Sequence, residues 1–460
     1  MNISKKTVNY QLLSGGAWAL SSKVMLAIVG LVLNALLTRL LTPQEVGAYF
    51  LTLTLVGCAS TLARLGLDHA VVRLIAESLG LKQFLRARKA IFKTLLLLSC
   101  GILALTLILL YGLGDFLATR LFNSSIISEV IGLTVIWFVV VAFQGVISEI
   151  FRGFQDIRYA SIFGGLFSRI ISVLLFALLW ICQGHSDLKQ VVIISAVGGL
   201  TSVFISGILI FQKIKKYEIE KDENSVNDIS NKLRYREILL ISLPLLLSNI
   251  TNFILMQSDI WIVGAFHTQE TVAVFGAATR LILLITMPVL TVHAVVTPLI
   301  ANLYAQKRNT DIEITLRASA AAAMIPSILI FLSYVIFGRF LLEFVFGNFY
   351  KAGYLILVIL CFGHMINIWA GSCGYALMMT GYQNYLMYIS LISGFVTIIL
   401  GILLAVPYGA EGVAVATSTG LSLRAIAMWL CVKKTLGIWT HISFKKLYKI
   451  KSLRILMTAD

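Results

Sequence analysis

The chain has 460 residues, of which 59% are hydrophobic and only 13% charged, where soluble proteins carry roughly 25% charged residues. Its 37 Lys and Arg against 21 Asp and Glu give a formal net charge of +16. These figures exclude a disordered chain, a large water-soluble catalytic domain and an outer-membrane barrel, whose alternating strands average far less apolar.

What remains is an all-α polytopic membrane protein. About 270 apolar residues, at ~20 per helix, allow about a dozen spans. In chain order the apolar runs predict spans at 16–38, 46–66, 90–112, 128–149, 161–183, 190–212, 237–258, 272–298, 316–338, 353–376, 384–406 and 411–432, twelve transmembrane helices. Lys5 and Lys6 precede the first run, but it is longer than a signal peptide's apolar core and no small-residue cleavage site follows promptly, so it reads as an uncleaved span. The polar stretch from Lys213 to Arg236 divides the chain six and six. That division predicts an N-terminal six-helix bundle over 1–212, a cytoplasmic linker over 213–236, a C-terminal six-helix bundle over 237–433 and a basic cytoplasmic tail over 434–460.

An even number of spans puts both termini on one side, and the basic residues test which side that is. With the termini inside, 27 of the 37 fall in inner segments or, for Lys93 and Arg317, within the first four residues at the inner end of a span. Five lie in outer segments (Arg39, Arg120, Lys189, Arg339 and Lys351), and the other five, Lys23, Arg64, Arg169, Arg280 and Arg424, lie within spans. The positive charge is therefore read as a loop bias rather than as a nucleic-acid footprint. An internal echo supports the two halves: Thr42 to Phe50 resembles Thr268 to Gly276 at an offset of 226 residues, with Val46 on Val272 and Tyr49 on Phe275. An offset of six spans gives a repeat of the same orientation.

A charge at the bilayer centre costs about 2.5–3.5 kcal/mol, so the ionisable residues inside spans are site candidates. Lys23 lies about 10 Å into the first span at 1.5 Å per residue, and Lys23, Ala27, Gly30 and Asn34 share one helical face of small and polar groups. Such a face either packs closely on another helix or lines water. The seventh span repeats the pattern with Ser242, Asn249, Asn252, Met256 and Asp259 on one side and Gln257 nearby. Asn249 takes the place of Lys23 at the 226-residue offset, and Pro244 is expected to kink or soften this helix. Interhelical hydrogen bonding and a hydrated cavity both account for these amides.

Arg280 lies about 12 Å into the eighth span, Arg169 a similar distance into the fifth, and Arg424 deepest of all in the last. Arginine keeps its charge in a protein, so each needs water, an acid or an anionic ligand. Asp259 is the one convincing intramembrane acid, and it either pairs with Arg280 or binds a cation. The surplus of cations points to an anionic ligand, whereas Arg64, nearer the inner surface, fits snorkelling as well as function. The six cysteines sit in apolar runs without a CxxC pair and read as buried free thiols. The scattered histidines give no metal motif, and neither a phosphate loop nor a GxSxG elbow occurs.

Several segments together resemble the polysaccharide-export flippases of the Wzx type. They are Gly16-Ala17-Trp18, the turn from Arg39 to Tyr49, Leu65-Gly66-Leu67 with Arg73, Arg152-Gly153-Phe154-Gln155-Asp156, Pro244, Asp259 with Gly264, and Tyr408 to Ala414. The superfamily so resembled includes multidrug and toxic compound extrusion (MATE) transporters and the lipid II flippase. The resemblance implies a MATE-like, V-shaped fold of two six-helix bundles in the bacterial cytoplasmic membrane. It also implies alternating-access transfer of an undecaprenyl-diphosphate-linked repeat unit, as in O-antigen and lipopolysaccharide assembly, from the inner to the outer leaflet.

On that reading Lys23, Arg280, Arg424, Arg169 and Arg64 meet the diphosphate, Asn34, Asn249, Asn252 and Gln257 meet sugar hydroxyls, and Asp259 couples an ion or pairs with Arg280. No cofactor is expected beyond a coupling Na+ or H+. The expected partners are the polyprenyl-linked oligosaccharide, membrane lipid, a polysaccharide polymerase and a chain-length regulator, with no nucleic acid. A cation-coupled multidrug exporter and an integral membrane enzyme acting on a polyprenyl-linked substrate are the alternatives; the scarcity of acids speaks against the first, the short outer loops against the second.

Overall fold

The turn after the first apolar run starts its helix with a reciprocal cap. Thr42 Oγ1 accepts the Glu45 amide at 3.4 Å while Glu45 Oε2 accepts the Thr42 amide at 3.0 Å, and Pro43 sits in the first helical turn, where no amide donor is needed. The other Glu45 oxygen accepts the Leu188 amide at 3.3 Å, so one acid serves two helix starts. At the offset turn Thr268 is again the N-cap, with φ −69° and ψ 161° against −66° and 156° at Thr42. Val46 and Val272 are both fully buried, as are Tyr49 and Phe275. The echo in residue type is therefore also an echo of backbone and burial.

The computed structural model describes residues 5–81, 83–219 and 233–443, nearly all of them helical. Most of the polar linker, residues 220–232, and residues 444–460 of the basic tail lie outside the described residues. The helices are α1 (Lys5–Leu40), α2 (Pro43–Ala63), α3 (Leu67–Gly80), α4 (Phe84–Ile108), α5 (Gly114–Phe116), α6 (Ser125–Glu129), α7 (Ile131–Gly153), α8 (Ile157–Ser161), α9 (Phe167–Gln183), α10 (Leu188–Ile219), α11 (Tyr235–Phe266), α12 (Gln269–Ala305), α13 (Asn309–Phe346), α14 (Tyr354–Ala370), α15 (Cys373–Met379) and α16 (Gln383–Leu436). Two compact units result, Met1–Gln257 and Ser258–Asp460. The division falls within α11, which runs continuously through Pro244. Its first part packs in the first unit: Gly66, at φ +72°, lies directly on the Ser242 carbonyl, and Gly57 faces the Phe253 ring.

Eleven helices among the described residues are long and apolar enough to cross a membrane. The difference from twelve lies in α16. Its 54 residues would make a rod of about 80 Å, against a hydrocarbon core of ~30 Å. It is not a rod. Gly409 adopts φ 61°, ψ −150°, just after Pro407, and residues equally spaced about that point meet: Gly420 with Thr397, Gly401 with Ala416, Gly412 with the Leu404 carbonyl. The chain folds back there into an antiparallel hairpin, which is compatible with twelve crossings.

Inside each unit, small residues and a few buried polar groups set the helix spacing. In the first, Gln144 Nε2 donates to Ser168 Oγ at 2.9 Å and Ser202 Oγ at 3.3 Å, tying α7, α9 and α10, while Gly198 fits against Ser172. In the second, Tyr334 donates to the Leu281 carbonyl at 2.9 Å, Ser327 to the Ile285 carbonyl at 3.0 Å, and Gly363 rests on Ser418. The cysteines are all free, but not all buried as expected: Cys100 and Cys182 are exposed. In an apolar helix of a membrane protein, lipid takes the place of a protein core, so a thiol in an apolar run need not face inward.

Candidate functional site

In the first unit, α1 presents its small polar face to α9. Asn34, 8% exposed, donates from Nδ2 to the Gly30 carbonyl at 2.6 Å, and its Oδ1 is buried with no hydrogen-bond donor. The missing side chain at Gly30 leaves room for Arg169, whose Nη1 lies 3.4 Å from where a Cβ would stand. Tyr49, whose ring stacks on Trp137 at 5.8 Å, is within electrostatic reach of the same guanidinium. Arg169 itself is exposed and makes no ion pair with any described residue. Lys23, exposed, lies two turns before Gly30 on the same face. The structure thus groups Asn34 and Arg169 around Gly30, with Lys23 further along the stripe.

The amides of α11 are arranged differently. Asn249 and Gln257 are half-buried and Asn252 is exposed, and none hydrogen-bonds a described side chain. They belong to the first unit, and Asp259 to the second. There Asp259 Oδ1 accepts the Ile260 amide at 2.8 Å, and Arg280, on α12, is within electrostatic reach of the carboxylate. Arg424, half-buried on the second arm of α16, forms no ion pair with a described residue.

Arg64 is set apart by its partners. It pairs with the buried Asp68 at 2.9 Å, donates from Nε to the Ser60 carbonyl at 3.2 Å and from Nη2 to Thr61 Oγ1 at 3.3 Å, and lies across Gly145 of α7. Its charge is answered locally, as are those of Arg152 by Glu149 at 2.7 Å and Lys213 by Asp156 at 2.7 Å. Sequence reasoning did not single out Asp68, Glu149 or the Gln144 network, and Asp156 entered it only within the segment from Arg152 to Asp156. The spacing of four between Arg64 and Asp68, and of three between Glu149 and Arg152, was the available signal.

A planar guanidinium with no carboxylate partner, in a helix apolar enough to span a membrane, is a bidentate donor for phosphoryl or carboxylate oxygens. Lys23 adds a second cation, and Asn34 a free acceptor for a hydroxyl. The first unit therefore offers what an anionic, hydroxyl-bearing ligand needs.

A family model described as a polysaccharide biosynthesis protein matches residues 12–304, and one described as MatE matches residues 244–403. No curated protein matches the chain. Among solved structures, an inward-facing multidrug resistance MATE family transporter of the MOP superfamily is similar at 17% identity and a TM-score of 0.69, over 92% of this chain and 98% of that one. The lipid II flippase MurJ in an inward closed conformation is similar at 16% identity and 0.65, over 95% and 90%. A MOP superfamily transporter from Pyrococcus furiosus, described as having a binding pocket of reverse polarity, follows at 15% identity and 0.61, over 93% and 95%. At these identities the likeness is one of fold, a MATE-like transporter fold.

Proposed function

Because the chain belongs to the polysaccharide biosynthesis protein family and has the fold of multi-pass membrane transporters, we propose that it is a flippase. Its substrate on this reading is an undecaprenyl-diphosphate-linked oligosaccharide repeat unit, carried by alternating access from the inner to the outer leaflet of the bacterial cytoplasmic membrane, with both termini cytoplasmic. The observation that carries it is Arg169, exposed, unpaired among the described residues and set against Gly30 beside the orphan acceptor of Asn34. A diphosphate gives up much hydration on leaving water, and fixed cations with hydrogen-bonding capacity offset that cost. Arg169 and Lys23 hold or steer the diphosphate in the first unit, Arg280 and Arg424 in the second. Asn34, Asn249, Asn252 and Gln257 meet sugar hydroxyls. Asp259 pairs with Arg280 or takes the coupling Na+ or H+.

Deletion of the gene is expected to abolish surface polysaccharide and accumulate lipid-linked repeat units. Arg169→Ala, Lys23→Ala and Arg280→Ala, at unchanged protein level, are each expected to lower surface polysaccharide about tenfold or more, the effect of about 1.4 kcal/mol on the rate-limiting complex. Undiminished polysaccharide in all three overturns the assignment of roles. The match of residues 244–403 to the MatE model favours a second reading, a cation-coupled drug exporter. That reading predicts that expression raises resistance to cationic dyes and that deletion leaves lipid-linked intermediates unchanged.

A further inference from the structure

In the first unit the beginning of α4 meets the beginning of α11, where the chain re-enters after its polar linker. Lys93, half-buried on α4, makes the junction: its Nζ donates to the Leu233 carbonyl and stands 4.4 Å from the centre of the Tyr235 ring. An ammonium has three donors, and the carbonyl answers one of them. Lys89 lies one turn before Lys93 on the same face of α4, with Arg88 beside it, and Arg234 and Arg236 flank Tyr235; all four are exposed. Lys93, Arg234 and Arg236 form no ion pair with a described residue. The acids near them in the chain are Glu77, which meets Arg86 at 3.8 Å, and Glu237.

Each helix runs on from its cations into an exposed apolar stripe. On α4, Phe92, Leu96 and Leu103 follow Arg88 at helical spacing. On α11, Leu240, Leu243 and Leu247 follow Arg236 in the same way, on the side away from Asn249 and Asn252. Both helices are apolar enough to cross a membrane, so lipid rather than water wets these stripes. A basic group at the end of a lipid-facing stripe is the complement of a phospholipid, which carries its phosphodiester at the end of its acyl chains. Two such stripes, joined at their basic ends by Lys93, offer one lipid a place for its head and its chains. A zwitterionic lipid brings a cation of its own into this surplus of positive charge, and an anionic lipid does not.

We propose that Arg88, Lys89, Lys93, Arg234 and Arg236 form a binding surface for an anionic phospholipid. The phosphodiester lies over Lys93 at the junction of the two helices, and the acyl chains run along the stripes of α4 and α11. The arginines supply planar pairs of donors for the phosphoryl oxygens and the lysines point charges. A lipid bound here braces the place where the linker ends. The surface lies wholly within the first unit, uses none of the residues assigned to the transported substrate, and stands whether or not the chain moves a polysaccharide precursor.

The test is a titration of the purified full-length protein in a non-ionic detergent with phosphatidylglycerol or with phosphatidylcholine of the same chains. Native mass spectrometry reads the fraction of protein that retains a lipid. Phosphatidylglycerol is expected to half-saturate at a concentration about fivefold lower or less, the effect of ~1 kcal/mol for one basic residue near an anionic membrane surface. Lys93→Met, which keeps the length of the stem, is expected to raise that concentration about fivefold, and Arg234→Gln with Arg236→Gln about tenfold or more. The arginine pair is exposed and keeps the test decisive if Lys93→Met fails to fold. Lys433→Ala with Lys434→Ala removes two charges at the end of α16 instead and is expected to leave retention unchanged, which separates this surface from a general attraction to a basic protein. Equal retention of the two lipids, half-saturation unchanged in the folded variants, or an equal loss in the Lys433 and Lys434 variant overturns the proposal.

Discussion

Arg64 and Arg169 are the same residue type in two apolar helices of one unit, and they have opposite surroundings. Arg64 fills its donors with Asp68, Ser60 and Thr61, so it is part of the packing. Arg64→Ala leaves the buried Asp68 carboxylate unanswered and is expected to cost about 1–3 kcal/mol, seen as a lower unfolding temperature in detergent. The double variant Arg64→Ala with Asp68→Ala is expected to recover part of that loss, whereas a loss equal to the sum of the two single variants overturns the pairing. Arg169→Ala removes no ion pair and is expected to change the unfolding temperature little while lowering transport. Sequence alone ranked both as intramembrane cations. The spacing of Arg64 and Asp68 hinted at the pair, but nothing in the chain near Arg169 tells that its neighbour across the helix interface is a glycine.

Among the elements, α16 departs most from its appearance. Its hairpin depends on Gly409 at φ 61°, ψ −150°, a region open essentially to glycine, and on glycines at the crossing of the two arms. Gly409→Ala is expected to cost about 1–3 kcal/mol through backbone strain, and Gly420→Leu, which drives a side chain into Thr397, considerably more. Yield of monodisperse protein on size exclusion and its unfolding temperature check both; a Gly420→Leu protein as stable as the parent overturns the hairpin. Here sequence and structure agree for a physical reason. Two apolar runs separated by Pro407-Tyr408-Gly409 are each about one bilayer long, so a straight helix through both would leave half its length without lipid. The thiol burial misread the solvent instead: Cys100 and Cys182 follow the apolar pattern of their helices but face outward.

For the whole molecule, the distribution of basic residues makes a prediction that labelling can check. With Cys100 and Cys182 replaced by Ala, Asn348→Cys is expected to react with a membrane-impermeant thiol reagent on intact cells, and Asn309→Cys only after permeabilisation. Both positions are exposed and lie at opposite ends of the described α13. The reverse pattern inverts the topology and with it the direction proposed for transport.

The sequence by itself determined the class, the number of apolar runs and the repeat. All three follow from composition and periodicity, which the bilayer reads residue by residue along the chain: ~20 apolar residues must span, and basic residues are retained on one side. The cap at Thr42 belongs here too, because it is a local pair of hydrogen bonds within one turn. What only the tertiary structure decided is which polar groups meet. Gly30 makes room for Arg169 from another helix, Gln144 gathers serines from α9 and α10, and His441 is set between Trp429 and Arg317 by a return after α16. Such meetings depend on contacts far apart in the chain. A single sequence records the residues that make them but carries no local signal of which ones pair.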